Sequence, residues 1–415
     1  MIVDIITFVL LSVLLFWVVY NGAIIYVGVR NIKKPMPKPK LDVTEFPKYS
    51  IIVPTKNEVS VIKRCLEGFL AVDYPRSKLE VVVVDGASTD GTQEVCLEYE
   101  KHYPDFFKVI SEGSAHGKPA ALNLALKHTT GDVIAVFDAD SLPESNIFNL
   151  TNEYFADKEI MAVQGRTTSI NERSSVLTRV IATEEKAWFQ MLLSGRERLK
   201  LFVPLNGTCQ FVRRSVFERI GVWDENSLTE DVEYALRLVE KGGWVKYAPD
   251  VCSGQETPST MRSLINQRTR WYRGYMETAV KYGRLLGNIN KRTLDAEISM
   301  GGPFMMVISL LSYINWFLVA VFFSQRSPLL NFTGLVIVLT AVSLVSIGLA
   351  LVASEKPIKK RNVLLVPSIY FYWMFQMFIA FWAFLKFAFR RKRVWTKTAK
   401  DGSYVPGDAC KQNLI

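Results

Sequence analysis

Two carboxylates close an apolar run in this chain, where Asp138-Ala139-Asp140 follows Val133-Ile134-Ala135-Val136-Phe137. In an extended chain, residues two apart point the same way, so both side chains can reach one cation. Hard oxygen ligands suit Mg2+ or Mn2+, which proteins hold through one or two carboxylates while substrate phosphates fill the shell. A second acidic pair, Glu230-Asp231, opens a helical pattern in which Val232, Ala235, Leu236 and Val239 recur, and Gly242-Gly243 ends it. Acids there complement the helix dipole by roughly 0.3–1 kcal/mol, and a positioned carboxylate can also take a proton. Lys118 begins another helix after Gly117, and a lysine beside a helix N-terminus favours phosphate. Gln267, Arg270 and Trp271 stand at i, i+3 and i+4 on one helical face. The same stretch, with Leu264, Ile265, Tyr272, Tyr275 and Met276 beside Arg262, Arg268 and Arg273, also fits a helix at a headgroup boundary.

These groups need a scaffold, and the pattern around them supplies one. Ser50–Pro54, Glu80–Asp85, Phe107–Ser111 and Asp132–Phe137 read as buried strands. Helical patterns alternate with them over Val59–Leu70, from Thr89, and over His116–His128. Continuous Val/Ile strands separated by helices predict a parallel sheet covered on both faces. Ligands of such sheets bind beyond the carboxyl ends of the strands, which selects Thr55, Asn57, Glu58, Asp85, Asp138 and Asp140. The segment Val176–Leu199, with Trp188, Phe189, Met191, Leu192 and Leu193, fits an interfacial helix or a core helix equally.

The 415 residues are 49% hydrophobic, with net charge +10 and mean hydropathy +0.14, which argues against a fully soluble protein. Ile5–Val29 is long enough to cross a bilayer. Its basic residues come after it, at Arg30, Lys33, Lys34, Lys38 and Lys40, so a cleaved signal peptide is disfavoured. The N-terminus is expected outside and the following domain in the cytoplasm. Further apolar runs cover Pro303–Phe323, Phe332–Val352 and Val363–Phe389. Basic residues in the loop Ser354–Asn362 place it in the cytoplasm, so a fully spanning last run would carry Arg390–Arg393 outside, against the charge rule. A re-entrant path or a kink at Pro367 would remove the conflict, and so would a topology already fixed by the large preceding domain. Much of the positive charge flanks apolar runs, where anionic membrane lipids attract it, so nucleic acid is not an expected partner. Five cysteines without C-x-x-C spacing read as reduced thiols, and three histidines make a histidine-rich metal centre improbable.

In order, these signals resemble the membrane-embedded family 2 glycosyltransferases: the cellulose, chitin and hyaluronan synthases, with ceramide glucosyltransferase as a related branch. The resemblance runs from about Tyr49 to Trp271 and implies an α/β GT-A domain with transmembrane helices. The expected organisation is a transmembrane helix at 1–30, a basic proline-rich linker at 31–48 and the cytoplasmic GT-A domain at 49–258. Interfacial helices bearing the Gln-x-x-Arg-Trp motif follow at 259–300, then three transmembrane or re-entrant segments at 301–390 and a basic tail at 391–415. It also implies roles. Pro54-Thr55-Lys56-Asn57-Glu58 resembles the opening motif that holds the nucleotide base, giving Thr55 and Glu58 to the donor. Asp85 would accept from a uracil ring, although Gly86 stands where the family usually has a second aspartate. Lys118 and Asp138 complete the donor site, with Asp138 near the ribose and Asp140 on the metal. Asp231 matches the catalytic base, and Gln267, Arg268, Arg270 and Trp271 would serve acceptor and diphosphate. Leu205-Asn206-Gly207-Thr208-Cys209 resembles the acceptor turn. The expected reaction is inverting, metal-dependent transfer from a UDP-linked sugar to a β-linked oligo- or polysaccharide. The alternative is a glycolipid synthase, and a non-catalytic membrane scaffold ranks below both. Four apolar runs are few for a polymer channel in one chain, which leaves a homo-oligomer open.

Overall fold

The computed structural model describes residues 2–38, 46–114, 116–283, 290–322 and 365–393, with isolated positions at 334, 338, 341, 398, 400 and 402. It opens with helix α1 (Ile2–Arg30). An α/β scaffold then alternates β1 (Tyr49–Thr55), α2 (Val59–Leu70), β2 (Leu79–Asp85), α3 (Thr92–His102), β3 (Phe107–Ser111), α4 (Lys118–Leu126) and β4 (Val133–Val136). The remainder is β5 (Leu142–Pro143), α5 (Ile147–Phe155), β6 (Ala162–Ser169), α6 (Val176–Lys186), a π-helical stretch at Ala187–Leu193 and α7 (Ser194–Arg198). After these come β7 (Gln210–Arg213), α8 (Arg214–Ile220), α9 (Glu230–Glu240), β8 (Val245–Gln255), α10 (Met261–Tyr282), α11 (Lys291–Met300), α12 (Gly302–Phe322) and α13 (Leu365–Ala388).

The strands form one sheet in the order β3-β2-β1-β4-β7-β6-β8-β5. β1 pairs in parallel with β2 and β4, and β2 with β3, as helical crossovers require. Alternate residues feed two cores. Ile52, Val82, Val84, Ile134 and Val136 enter one, while Ile51, Val53, Val81, Val83 and Ala135 enter the other. The expected parallel sheet ends at β4, because β7 runs antiparallel to both β4 and β6. Periodicity could not show this half. All eight residues of β6 are buried, yet Gln164, Arg166, Thr167, Thr168 and Ser169 are polar.

The segment expected at 176–199 is an inner element. Val180, Ile181, Phe189, Met191 and Leu193 are buried, and α1 packs along the π-helical stretch and α7. That crossing brings backbone onto backbone. A Cβ on Gly28 would lie 2.0 Å from the Met191 carbonyl oxygen, and one on Gly195 would lie 2.1 Å from that of Ile24. Beside it, Arg196 Nη1 pairs with Asp295 Oδ2 at 2.7 Å, Arg196 Nη2 donates to the Tyr20 hydroxyl at 3.0 Å, and Tyr20 donates to Asp295. One buried ion pair therefore joins α1, α7 and α11.

Among the described residues, two helices are long and apolar enough to cross a membrane, Thr7–Arg30 and Pro367–Ala388; α11 and α12, bent by 46°, pass the same test as a pair. The last apolar run is helical through Ala388, with Pro367 in the first described turn, where a missing N–H is tolerated. α13 runs beside α10 along its length: Ile369 and Tyr372 cluster with Leu264, Gln376 meets Tyr272, and Ala380 meets Met276. Past its end, Arg273 Nη2 donates to the Arg391 carbonyl at 2.5 Å, and Arg393 Nη1 donates to that of Asn226 at 3.0 Å. Arg391 and Arg393 thus lie against α10 and the loop at Asn226. The middle run at 332–352 and the loop at 354–362 lie outside the described residues, apart from isolated positions in the run, as does most of the linker at 39–48 and of the tail beyond 393.

Candidate active site

A cavity of about 1130 Å3 opens at the carboxyl ends of β1 and β4 and takes in α9 and α10. Its lining unites Thr55, Glu58, Lys118, Asp138, Asp140, Asp231, Gln267, Arg268, Arg270 and Trp271. Two expected residues do not line it: Asn57, whose Oδ1 accepts the Thr89 N–H at 2.8 Å, and Asp85. Asp85 is fully buried, and its carboxylate accepts from the Ser88 N–H at 3.0 Å and the Ser88 hydroxyl at 2.5 Å. It fastens the turn that carries Gly86, and Gly86 rather than Asp85 lines the cavity. Thr55 Oγ1 and Asn206 Nδ2 are buried with no hydrogen-bond partner among the described residues.

The two aspartates converge, though not through an extended strand. β4 stops at Val136, and Ser141 N–H donates to the Asp138 carbonyl at 3.0 Å, so Asp138–Ser141 is a turn. Asp138 is 39% exposed and accepts Lys118 Nζ at 2.6 Å. Asp140 is 2% exposed; its Oδ2 accepts the Glu256 N–H at 2.8 Å and Lys400 Nζ at 2.6 Å. No cluster of three or more metal-ligating side chains occurs among the described residues. A divalent cation here would draw two carboxylates from the protein and the rest from a diphosphate, the pattern Mg2+ prefers. The site fits such an ion, because the buried Asp140 carboxylate already holds a cationic group, the Lys400 ammonium.

Asp231 lines the same cavity, beside Glu230. Burial pushes its pKa up to about 7; the Glu230 charge adds to the rise and Lys118 opposes it. Lys118 Nζ also donates to the Gly207 carbonyl at 2.8 Å. Gly207 has φ +76°, and a Cβ there would lie 3.0 Å from Asp231 Oδ2 and 3.3 Å from Lys118 Nζ, so this turn closes on Asp231 only as glycine. Burial lowers the Arg270 pKa, and Glu230, Asp231 and Asp138 act against the fall. A guanidinium thus lies near acids of both pairs. Arg268 takes a different position from its motif neighbour: its Nη2 pairs with Glu184 at 2.6 Å, and its guanidinium lies 4.3 Å from the centroid of the Trp271 ring.

The sequence matches the family model described as "Glycosyltransferase like family 2" over residues 47–274, more than half of its length. The chain is a family 2 glycosyltransferase. It is 32% identical to the probable glycosyltransferase YdaM of Bacillus subtilis over 66% of this chain and 67% of that one. It is 29% identical to the beta-monoglucosyldiacylglycerol synthase of Trichormus variabilis, over 86% of this chain and 77% of the relative. Identity to the poly-beta-1,6-N-acetyl-D-glucosamine synthase of Staphylococcus aureus is 24%, over 64% of each. The fold matches that of the mannosyltransferase PcManGT from Pyrobaculum calidifontis, solved with GDP-Man and Mn2+, at TM-score 0.65 and 22% identity, covering 94% of this chain and 100% of that one. The catalytic unit of this glycosyltransferase therefore has the expected GT-A-like architecture, with candidate membrane helices attached.

Several lining residues of this glycosyltransferase gave no sequence signal. Glu256 follows β8 and binds Arg64 Nη2 at 2.9 Å and the Gly402 N–H at 3.1 Å. Lys400 sits in a tail whose composition suggested only headgroup contact. Glu184 lies in a helix that could be interfacial or core. Long-range pairing brings each of them to the site, and local pattern does not encode that.

Proposed function

We propose that this chain catalyses an inverting transfer of a sugar from a UDP-linked donor to a hydroxyl acceptor at a membrane face, with Mg2+ or Mn2+ bound. The observation that carries this reading is Asp231. A buried carboxylate with a pKa near neutrality is poised to take a proton at ordinary pH, and it shares one cavity with the Asp138–Asp140 turn. The acceptor oxygen would attack the anomeric carbon while its proton passes to Asp231, and the bond from that carbon to the diphosphate oxygen would break. One displacement turns an α-linked donor into a β-linked product. A divalent ion on Asp138 and Asp140 would neutralise the leaving diphosphate. Arg270 adds fixed positive charge there, and such preorganised charge is usually the largest single catalytic term. Thr55, Glu58 and Lys118 would hold the donor, Asp85 would act through the turn it fastens, and Gln267 and Trp271 would receive the acceptor.

For the acceptor, a growing β-linked glucose or N-acetylglucosamine chain is the first reading. A lipid hydroxyl is the second, supported by Ile25 of α1, Met306 of α12 and Ile369 of α13, which line the same cavity. A cytoplasmic catalytic domain with the N-terminus outside is supported by the basic residues that follow α1.

Calorimetric titration of UDP with Mn2+, run beside turnover with a panel of labelled nucleotide sugars, tests this reading. Asp231→Asn is expected to bind UDP within a few-fold of the parent and to lose transfer by about a hundredfold or more. Asp140→Asn is expected to weaken cation-dependent UDP binding, and excess EDTA to abolish transfer. Normal transfer by Asp231→Asn would reduce that residue to a helix-dipole partner.

A further inference from the structure

Arg268 and Tyr272, on either side of Trp271 along α10, are tied to one another through α13. The Tyr272 hydroxyl donates to Gln376 Oε1 at 2.9 Å. Gln376 Nε2 donates to the Tyr372 oxygen at 2.7 Å. The Tyr372 hydroxyl donates to Glu184 Oε2 at 2.7 Å, and the same oxygen accepts Arg268 Nη2 at 2.6 Å. From Tyr272 to Glu184 every group donates in one direction, so each bond polarises the next. The chain ends on the guanidinium that stacks against the Trp271 ring.

Gln376 is fully buried and carries the one side-chain amide in α13. A polar side chain inside so apolar a segment is costly unless paired, and by default it marks function. An ion pair that only joined α6 to α10 would be complete with Glu184 and Arg268. Tyr372 and Gln376 carry it round to the other neighbour of Trp271 instead. Arg268, Trp271, Tyr272 and Glu184 all line the cavity.

We propose that Glu184, Tyr372 and Gln376 are positioning residues for the acceptor: they hold Arg268 against the Trp271 indole, so that the ring presents itself to the cavity in one orientation. The inference rests on the reading of Trp271 as the acceptor-stacking residue. It makes the last apolar helix part of the active site, and it gives Arg268 a role at one remove from the substrate.

The test uses the full chain in lipid nanodiscs, labelled with 5-fluorotryptophan. Of nine tryptophans, the Trp271 resonance is identified by its loss in Trp271→Phe. Tyr372→Phe and Gln376→Leu are each expected to shift or broaden that resonance while the others stay in place; an unmoved Trp271 signal overturns the proposal. In the kinetic arm, octyl β-D-glucoside serves as acceptor because it offers both a sugar ring and an alkyl chain. Tyr372→Phe is expected to raise its KM about 3- to 10-fold, the scale of one neutral hydrogen bond, with kcat and UDP affinity within twofold. Glu184→Gln is expected to do more, since it leaves Arg268 buried without its anion. Should that variant fail to fold, Tyr372→Phe, which removes a single oxygen, decides alone. A fall in kcat at unchanged KM overturns the positioning role. Trp271→Ala separates the two layers. If it leaves KM unchanged, the acceptor reading of Trp271 fails and this inference goes with it. If it raises KM and Tyr372→Phe does not, the inference fails alone.

Discussion

Asp231 shows how far one residue's role depends on what surrounds it. From sequence it is an acid in the first turn of a helix, a place where acids are common for reasons of the dipole alone. Burial is what raises its pKa to about 7, and burial comes from Gly207 and α10, both distant in sequence. The consequence for pH has a definite sign. A base must be ionised, so transfer is expected to rise as pH passes through about 7 and to level off above it, provided Asp231 is the titrating group. Stability moves the other way. The folded carboxylate holds its proton to higher pH than the unfolded one, so ionising it costs stability between the ordinary aspartate value of 3.8 and about 7. Asp231→Asn should therefore raise the melting temperature at pH 8, with the gain shrinking as pH falls towards 4; a gain that grows in acid would contradict the assignment. Arg268 and Asp85 make the complementary point. Their residue types were right for ligand contact, yet Glu184 and Ser88 had already engaged them. Nothing local to either motif records such partners.

At the scale of elements, the first four strands were legible because each is a run of Val and Ile with a helix between. β6 was not, since its buried face includes Gln164, Arg166 and three hydroxyl side chains whose partners lie on other elements. α13 was legible as a long apolar run, but its place beside α10 depends on matches such as Met276 with Ala380 that no period reveals. The seam of α1 with the π-helical stretch gives a direct test. Gly28→Leu would drive a side chain into the Met191 carbonyl, whereas a Cβ on Gly22, in the same helix, meets nothing within 4 Å. Gly28→Leu is expected to lower the melting temperature by several degrees and to reduce transfer. Gly22→Leu should change neither beyond the small effect of an exposed substitution. Equal losses in both would mean that α1 matters only for membrane insertion.

For the whole molecule, chain ends meet the middle. Lys400 reaches Asp140 across 260 positions, so one lysine of the tail occupies a carboxylate that would hold a cation. Burial alone would lower the Lys400 pKa, but Asp140 more than offsets it and the ammonium is held charged. Lys400→Ala removes a competitor for that carboxylate and is expected to tighten Mn2+ binding severalfold in titrations without nucleotide. Weaker binding would show that the lysine helps to build the cation site. The opposite end carries a longer obligation. Tyr20 finds Asp295 only 275 residues later, and Arg196 finds the same carboxylate after 99. At about 5–20 residues per second of synthesis, the first helix waits some 14–55 s for that partner. Arg196 itself waits about 5–20 s for that anion, and an unpaired buried charge is strongly unfavourable. The nascent catalytic half must stay open at α7 until α11 has left the ribosome, so the order of translation places the insertion of α1 before the closure of the site.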